Sequence, residues 1–353
     1  MAENSSLLEI RDLHVWFKVY GGMSKVLDGV YLSVAPAEKV GLVGETGCGK
    51  TTTMRAIMGI LPAKQAVIPK GEVLFKGKDV LKMKGGELQR LRSTGASMIF
   101  QDPTAALNPV FTVGQQIQDV VKYARMASKE QPAESIRAAA IRALQEVALP
   151  DPERMLNNYP LQLSGGMRQR VCIAMSIVTS RELLIADEPG TSLDVTIQDQ
   201  VLRLIRDLVE KNRTSVILVS HSLGVVREMT DRVYVMYAGT IAEAAPTKEL
   251  FAEPLHPYTR ALMDCVPKLT GGGIAQGIPG RMPDYLHPPT GCRFSPRCTY
   301  AMPICSEAKP PFIEAAPGRQ VACHLYKPGE SVSKVGAQVG AGSGSQVEQR
   351  EPE

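Results

Sequence analysis

Gly44-Glu45-Thr46-Gly47-Cys48-Gly49-Lys50-Thr51-Thr52 satisfies the phosphate-cradling pattern G-x-x-x-x-G-K-[ST]. A triphosphate needs several backbone N–H donors converging on its oxygens. Glycines at 44, 47 and 49 let the chain wrap closely, and the helix that follows adds the positive end of its dipole. Lys50 is placed to reach the β- and γ-phosphates, Thr51 to ligate Mg²⁺ through its hydroxyl, and Thr52 to contact the α-phosphate. Leu183–Pro189 reads LLIADEP, an apolar strand ending in two adjacent acids. Asp187 there can hold the Mg²⁺ shell, while Glu188 can polarise an attacking water as general base. Ser164-Gly165-Gly166 opens a helix and makes a second anion-binding terminus, although the chain already has one for the same phosphate. Cys48 lies between the glycines and beside Lys50, a setting that favours thiolate and marks it for alkylation; the plainer alternative is a small residue tolerated for its size.

These groups need a scaffold, and the apolar periodicity supplies one. Leu7–Val15 and Val26–Val34 alternate as strands, with a Gly-Gly turn between them at Gly21–Gly22. Val40–Val43 is a short buried strand feeding the glycine loop, and 51–61 has helical spacing that stops before Pro62. Short strands at Met98–Phe100, Leu183–Ala186 and Ser215–Val219 alternate with helical stretches such as 195–211, and Arg232–Met236 and Thr240–Ala244 close around Gly239. Strands alternating with helices predict an α/β fold with a largely parallel sheet and the glycine loop at its switch point. A helical run at about 102–180 interrupts the pattern and reads as an inserted subdomain. The expected organisation is a core over 1–246, a small cysteine-bearing extension over 247–328 and a disordered Gly/Ser/Gln-rich tail over 329–353.

Composition narrows the setting. The chain has 353 residues, 44% hydrophobic and 22% charged, with a net charge of +4 and no basic block, which argues against a nucleic-acid partner. The start carries no signal-peptide pattern and no window approaches a bilayer span, so the expectation is a cytosolic protein that meets a membrane through partners.

The order GETGCGKTT, LSGGMRQR (Leu163–Arg170), LLIADEP resembles the ATP-binding cassette of membrane transporters. That resemblance implies a P-loop ATPase core and gives Gln101, after the strand Met98–Phe100, the role of a glutamine that helps ligate Mg²⁺ and relays motion from a membrane partner. It makes His221 a switch residue that touches the γ-phosphate and orients the water. It assigns adenine stacking to Phe17 or Tyr20, with spacing unable to choose between them. Ser164, Gly165 and Gly166 would then serve the ATP of a second ATPase subunit, with Ser192-Leu193-Asp194 as the crossing loop, so function would require a dimer. Phe100–Ile117, Thr191–Leu202 and HPYTRALMDCVP (His256–Pro267) resemble more narrowly the ATPases of dipeptide and oligopeptide importers, and LNPVFTVG is nearer the D than the F subunit of the heteromeric pair. The implied partners are an F-type ATPase subunit, two transmembrane permeases and an extracytoplasmic substrate-binding protein, at the cytoplasmic face of the inner membrane. A nickel or other small-solute importer of the same subfamily is the alternative, and a soluble non-transport cassette ATPase a more distant one. Three departures from the family pattern, Gly190, Ser222 and Cys48, remove no catalytic group.

Four of the seven cysteines fall late, spaced Cys292-x5-Cys298-x6-Cys305-x17-Cys323. Four thiols in a reducing compartment can hold Zn²⁺ or an iron–sulfur cluster, and the paired C-x2-C knuckles usual for structural zinc are lacking. The importer resemblance favours a [4Fe–4S] cluster, with Zn²⁺, or free or disulfide-linked cysteines, as the alternatives. Its distance in sequence from every ATP motif suggests a structural or partner-docking role.

Overall fold

A computed structural model describes residues 6–128, 134–179, 181–191, 193–265 and 277–327; the expected disordered tail and Ser192 lie outside the described residues. Five parallel strands carry the site, side by side in the order Arg232–Tyr237, Lys39–Val43, Ser215–Val219, Leu183–Asp187 and Ala96–Ile99. Each is too apolar to expose a face, as expected of a sheet covered on both sides. Leu183, Ile185, Ile217 and Val219 pack with Leu42, Met54 and Ile57 of the helix Lys50–Ile57 on one side. Their neighbours Leu184, Ala186, Val216 and Leu218 turn to the opposite side, where the inserted helices and the helix Val195–Asn212 cover them. A second, antiparallel sheet pairs Leu8–Val19 with Gly22–Val34 and with Glu72–Phe75, and its inner face closes the first core.

The inserted region holds the helices Val113–Ser128, Ile136–Glu146 and Gly165–Ile177. Ile117, Val121 and Ala124 recur at helical spacing and are buried, the first two against Ala139, Ala143 and Val171. Ser135 and Ser164 cap two of these helices, accepting from the N–H groups of Ala138 at 3.1 Å and Met167 at 3.3 Å.

The strand Arg232–Tyr237 turns back through Ala238 and Gly239, both at positive φ (42° and 80°), into Thr240–Pro246. Such a turn matches the twist of a tight hairpin. A side chain on Gly239 would place its Cβ 1.9 Å from the Val26 carbonyl oxygen, so only glycine fits there. Beyond it the chain adds two strands that sequence reading missed. Ile313–Ala316 and Arg319–Val321 form a hairpin on the edge of Thr240–Pro246, continuing the central sheet. Val233, Val235 and Tyr237 face this late segment and pack with Tyr258 and Phe294. Among the described residues no helix is long and apolar enough to cross a membrane.

Candidate nucleotide site

The glycine loop leaves Lys39–Val43 and enters the helix Lys50–Ile57, with Gly44, Gly47 and Gly49 at φ 151°, 82° and 110°. These values suit glycine alone, and at Gly44 a Cβ would stand 2.1 Å from the Met236 carbonyl oxygen. Lys50 is buried; its ammonium donates to the carbonyls of Gly44 at 2.8 Å and Glu45 at 3.1 Å. It also lies 3.9 Å from the Cys48 Sγ, and a buried cation held by neutral groups leaves room for anionic oxygen.

The parallel strands deliver the remaining groups from their C-terminal ends, where ligands bind in open α/β sheets. Asp187 is buried, and desolvation pushes its carboxyl up against the opposing effect of a hydrogen bond with Thr51. Next to it Glu188 adopts φ 50°, a left-handed conformation that carries strain for a residue with a side chain. Its amide is fixed to the Val219 carbonyl at 2.9 Å. Three side chains converge on its carboxylate: Gln101 donates through Nε2 at 2.9 Å, Thr191 through its hydroxyl at 3.4 Å, and His221 Nδ1 stands 3.5 Å away. The cleft between loop and carboxylates measures about 620 Å³ and is lined by Gly44–Gly47, Gly49–Thr52, Gln101, Glu188, Thr191, His221, Val26, Val43, Leu223 and Leu262.

The structure thus brings together Gly44, Glu45, Thr46, Gly47, Gly49, Lys50, Thr51, Thr52, Gln101, Glu188 and His221, with Asp187 bonded to Thr51. Other expected residues fall elsewhere. Ser164, Gly165, Gly166 and Asp194 do not line the cleft. They sit against each other instead: Asp194 caps the helix Val195–Asn212 by accepting from the Ile197 amide at 3.0 Å, and Ile197 approaches Gly166. Neither aromatic candidate lines the cleft; Phe17 packs half-buried on the core, whereas Tyr20 is fully exposed.

Cys48 corrects one expectation. It is fully buried, and that burial pushes its thiol up more than neighbouring Lys50 lowers it, so the loop does not present a reactive thiolate. Gly190, one of the departures from the family pattern, adopts φ 111°, which a β-branched side chain would resist.

The late cysteines gather in one neighbourhood. Burial raises Cys292, Cys298 and Cys323, the last to about 12, and each of the three is raised further by its cysteine neighbours, Cys305 among them. Yet among the described residues no group of three or more His, Cys, Asp or Glu side chains stands ready to hold a metal. The four thiols share a neighbourhood without forming a ligand set.

Their segment is also not remote from the site. Tyr258, Tyr285 and Arg297 touch the glycine loop directly. Only Tyr258 had a sequence signal, as part of the HPYTRALMD stretch.

Comparison with known proteins agrees with this geometry. Residues 27–191 match the family model "ABC transporter", and residues 242–305 match "Oligopeptide/dipeptide transporter, C-terminal region". The chain is 46% identical to the "Probable peptide ABC transporter ATP-binding protein y4tR" of Sinorhizobium fredii, covering 90% of this chain and 94% of that protein. It is 42% identical to the "Dipeptide transport ATP-binding protein DppD" of Bacillus subtilis, again over 90% of this chain and 94% of the relative. The ATP-binding cassette MJ0796, solved as a post-hydrolysis dimer with ADP and Pi, superposes with a TM-score of 0.59 at 23% identity over 68% of this chain and 98% of that one, a likeness of fold. The chain belongs to the ATP-binding-cassette transporter ATPases, in the group that carries the oligopeptide/dipeptide C-terminal region.

Proposed function

From that membership we infer that the chain is the ATP-hydrolysing subunit of an importer that drives dipeptides or oligopeptides across a membrane. The observation that carries it is the convergence of Gln101, Thr191 and His221 on the Glu188 carboxylate across the cleft from Lys50. Glu188 acts as general base: Gln101 and His221 hold the carboxylate in place while it takes the proton of the attacking water. Lys50 and the loop N–H groups neutralise the phosphate charge that builds during transfer. Mg²⁺ fits this donor set, because a single buried carboxylate beside a hydroxyl leaves most of the shell to phosphate and water, as that ion prefers. Asp187 and Thr51 would hold it, with Gln101 close by, and it would supply charge neutralisation to the transferring phosphoryl group.

Ser164, Gly165, Gly166 and Asp194 belong in the same proposal as groups serving the ATP of a second, F-type ATPase subunit. Their grouping outside this cleft supports the reading. Two permeases and a substrate-binding protein complete the assembly, with this chain peripheral at the cytoplasmic face of the inner membrane. We assign adenine stacking to Phe17 before Tyr20, since Phe17 is anchored on the core while Tyr20 is fully exposed. Cys292, Cys298, Cys305 and Cys323 are proposed to hold a [4Fe–4S] cluster, with Zn²⁺ as the alternative. Their mutual proximity supports it, and ligation requires the thiols to turn towards one another.

Co-expressed with its permeases and binding protein in liposomes, the chain should drive ATP-dependent uptake of a labelled dipeptide that is lost in Glu188→Gln. Uptake of nickel in place of peptide would overturn the substrate assignment. Anaerobically purified protein should carry about four irons per chain for a cluster of this type; one zinc and no iron would establish the alternative.

A further inference from the structure

The tip of the glycine loop meets the late segment on three of its groups. The Glu45 amide donates to the Tyr258 hydroxyl at 3.0 Å, and the Tyr285 hydroxyl donates to the Gly47 carbonyl at 2.8 Å. Arg297 donates to both oxygens of the Glu45 carboxylate, at 3.0 and 3.1 Å. This guanidinium is itself immobilised. Its side chain is only 4% exposed, and it also donates to the carbonyls of Pro279 at 2.8 Å and Ile278 at 2.9 Å and to the Tyr237 hydroxyl at 3.2 Å. A fork bound on every side holds its partner rather than following it.

A parallel connection runs one step behind. Arg293, equally buried, donates to the carbonyls of Ala238 and Lys25, and the adjoining Gly239 amide donates to the Cys48 carbonyl at 2.7 Å. Glycine-rich loops are conformationally costly to order, and this one lies among groups that the late segment fixes.

We propose that Arg297, with Tyr258 and Tyr285, is a positioning strap for the nucleotide: it holds Glu45–Gly47 in the phosphate-receiving shape without touching ATP. The proposal rests on the reading of Gly44–Thr52 as the phosphate loop. Arg293 follows Cys292 and Arg297 precedes Cys298, so order in the cysteine segment passes to the loop through these two side chains.

The test is calorimetric titration of the full-length chain with ATP and Mg²⁺. Loss of one charge-assisted pair should raise the Kd of Arg297→Ala about ten-fold. Arg297→Lys should recover part of this. Glu45→Gln should weaken binding similarly, and the double variant should bind no worse than either single one. In steady state the Arg297→Ala defect should fall on KM more than on kcat, a split that general loosening of the fold does not give. ATP affinity within two-fold of the parent, or strictly additive losses, overturns the strap. Should Arg297→Ala not fold, Tyr285→Phe carries the test, with a several-fold loss expected and unchanged affinity decisive against it. Lys50→Ala separates the two layers. If it binds ATP normally, the site reading falls and the strap with it; if it loses ATP while Arg297→Ala binds normally, only the strap falls.

Discussion

On its front the glycine loop faces Gln101, Glu188 and His221, each delivered by the C-terminal end of a parallel strand. On its back it meets Tyr258 of the helix Pro257–Asp264, and Tyr285 and Arg297 from a Pro-rich stretch with little regular structure. The two sides divide the work. The front carries groups that change charge or hydrogen bonding during the reaction, and these need a rigid sheet beneath them. The back carries groups that never meet the nucleotide and act only by limiting where the loop can go.

The comparison can be broken most forcefully at the front. Glu188→Gln keeps the shape and the Gln101 contact while removing the base, so turnover should drop by about 10²–10⁴-fold with ATP binding retained. Rapid-quench hydrolysis in the assembled transporter measures this, and near-normal turnover would remove Glu188 from its role.

The next largest effect is expected at the wall between the two sides. Gly239→Ala combines a left-handed backbone with a Cβ driven into the Val26 carbonyl. It should destabilise the protein by on the order of 3 kcal/mol. Denaturant unfolding reads the change, and a shift under about 0.5 kcal/mol would show that the turn relaxes freely.

A smaller effect belongs to the base of the late segment. His256 is buried and its Nδ1 accepts from the Tyr258 amide at 3.0 Å, capping the helix Pro257–Asp264. Burial lowers its pKa to about 4. The unfolded imidazole therefore binds more protons between about 4 and 6.5. Stability from this group is present above pH 6.5 and is lost as pH falls towards 4, by about 2 kcal/mol between pH 7 and pH 5. Neighbouring Glu243 is shifted up by burial and acts in the opposite sense, so the parent must be compared with His256→Asn, which keeps a capping oxygen. The acid sensitivity of the parent over that range should be reduced in the variant; identical pH profiles would exclude the imidazole.

How much of this was legible in the sequence follows the same division. The glycine loop, the acids after Leu183–Ala186 and His221 were readable because each lies within a few residues of a periodic apolar strand. The hairpin 313–321 was not read: its strands are only four and three residues long, too short for a period to show, and only the Pro317-Gly318 turn marks it. Cys48 was misjudged because charge is visible in a sequence while burial is not. The pair Arg297–Glu45 spans 252 residues and has no local pattern at all. The segment was therefore expected to stand apart from the ATP site, which it contacts.

The most direct test of the account places Glu188→Gln and Arg297→Ala side by side in one experiment, recording ATP affinity and the single-turnover rate at saturating ATP for each. The account expects Glu188→Gln to keep affinity and lose about 10²–10⁴-fold in rate, and Arg297→Ala to lose about ten-fold in affinity and keep most of its rate. The same pattern of loss in both variants would contradict the division between a chemical front and a positioning back.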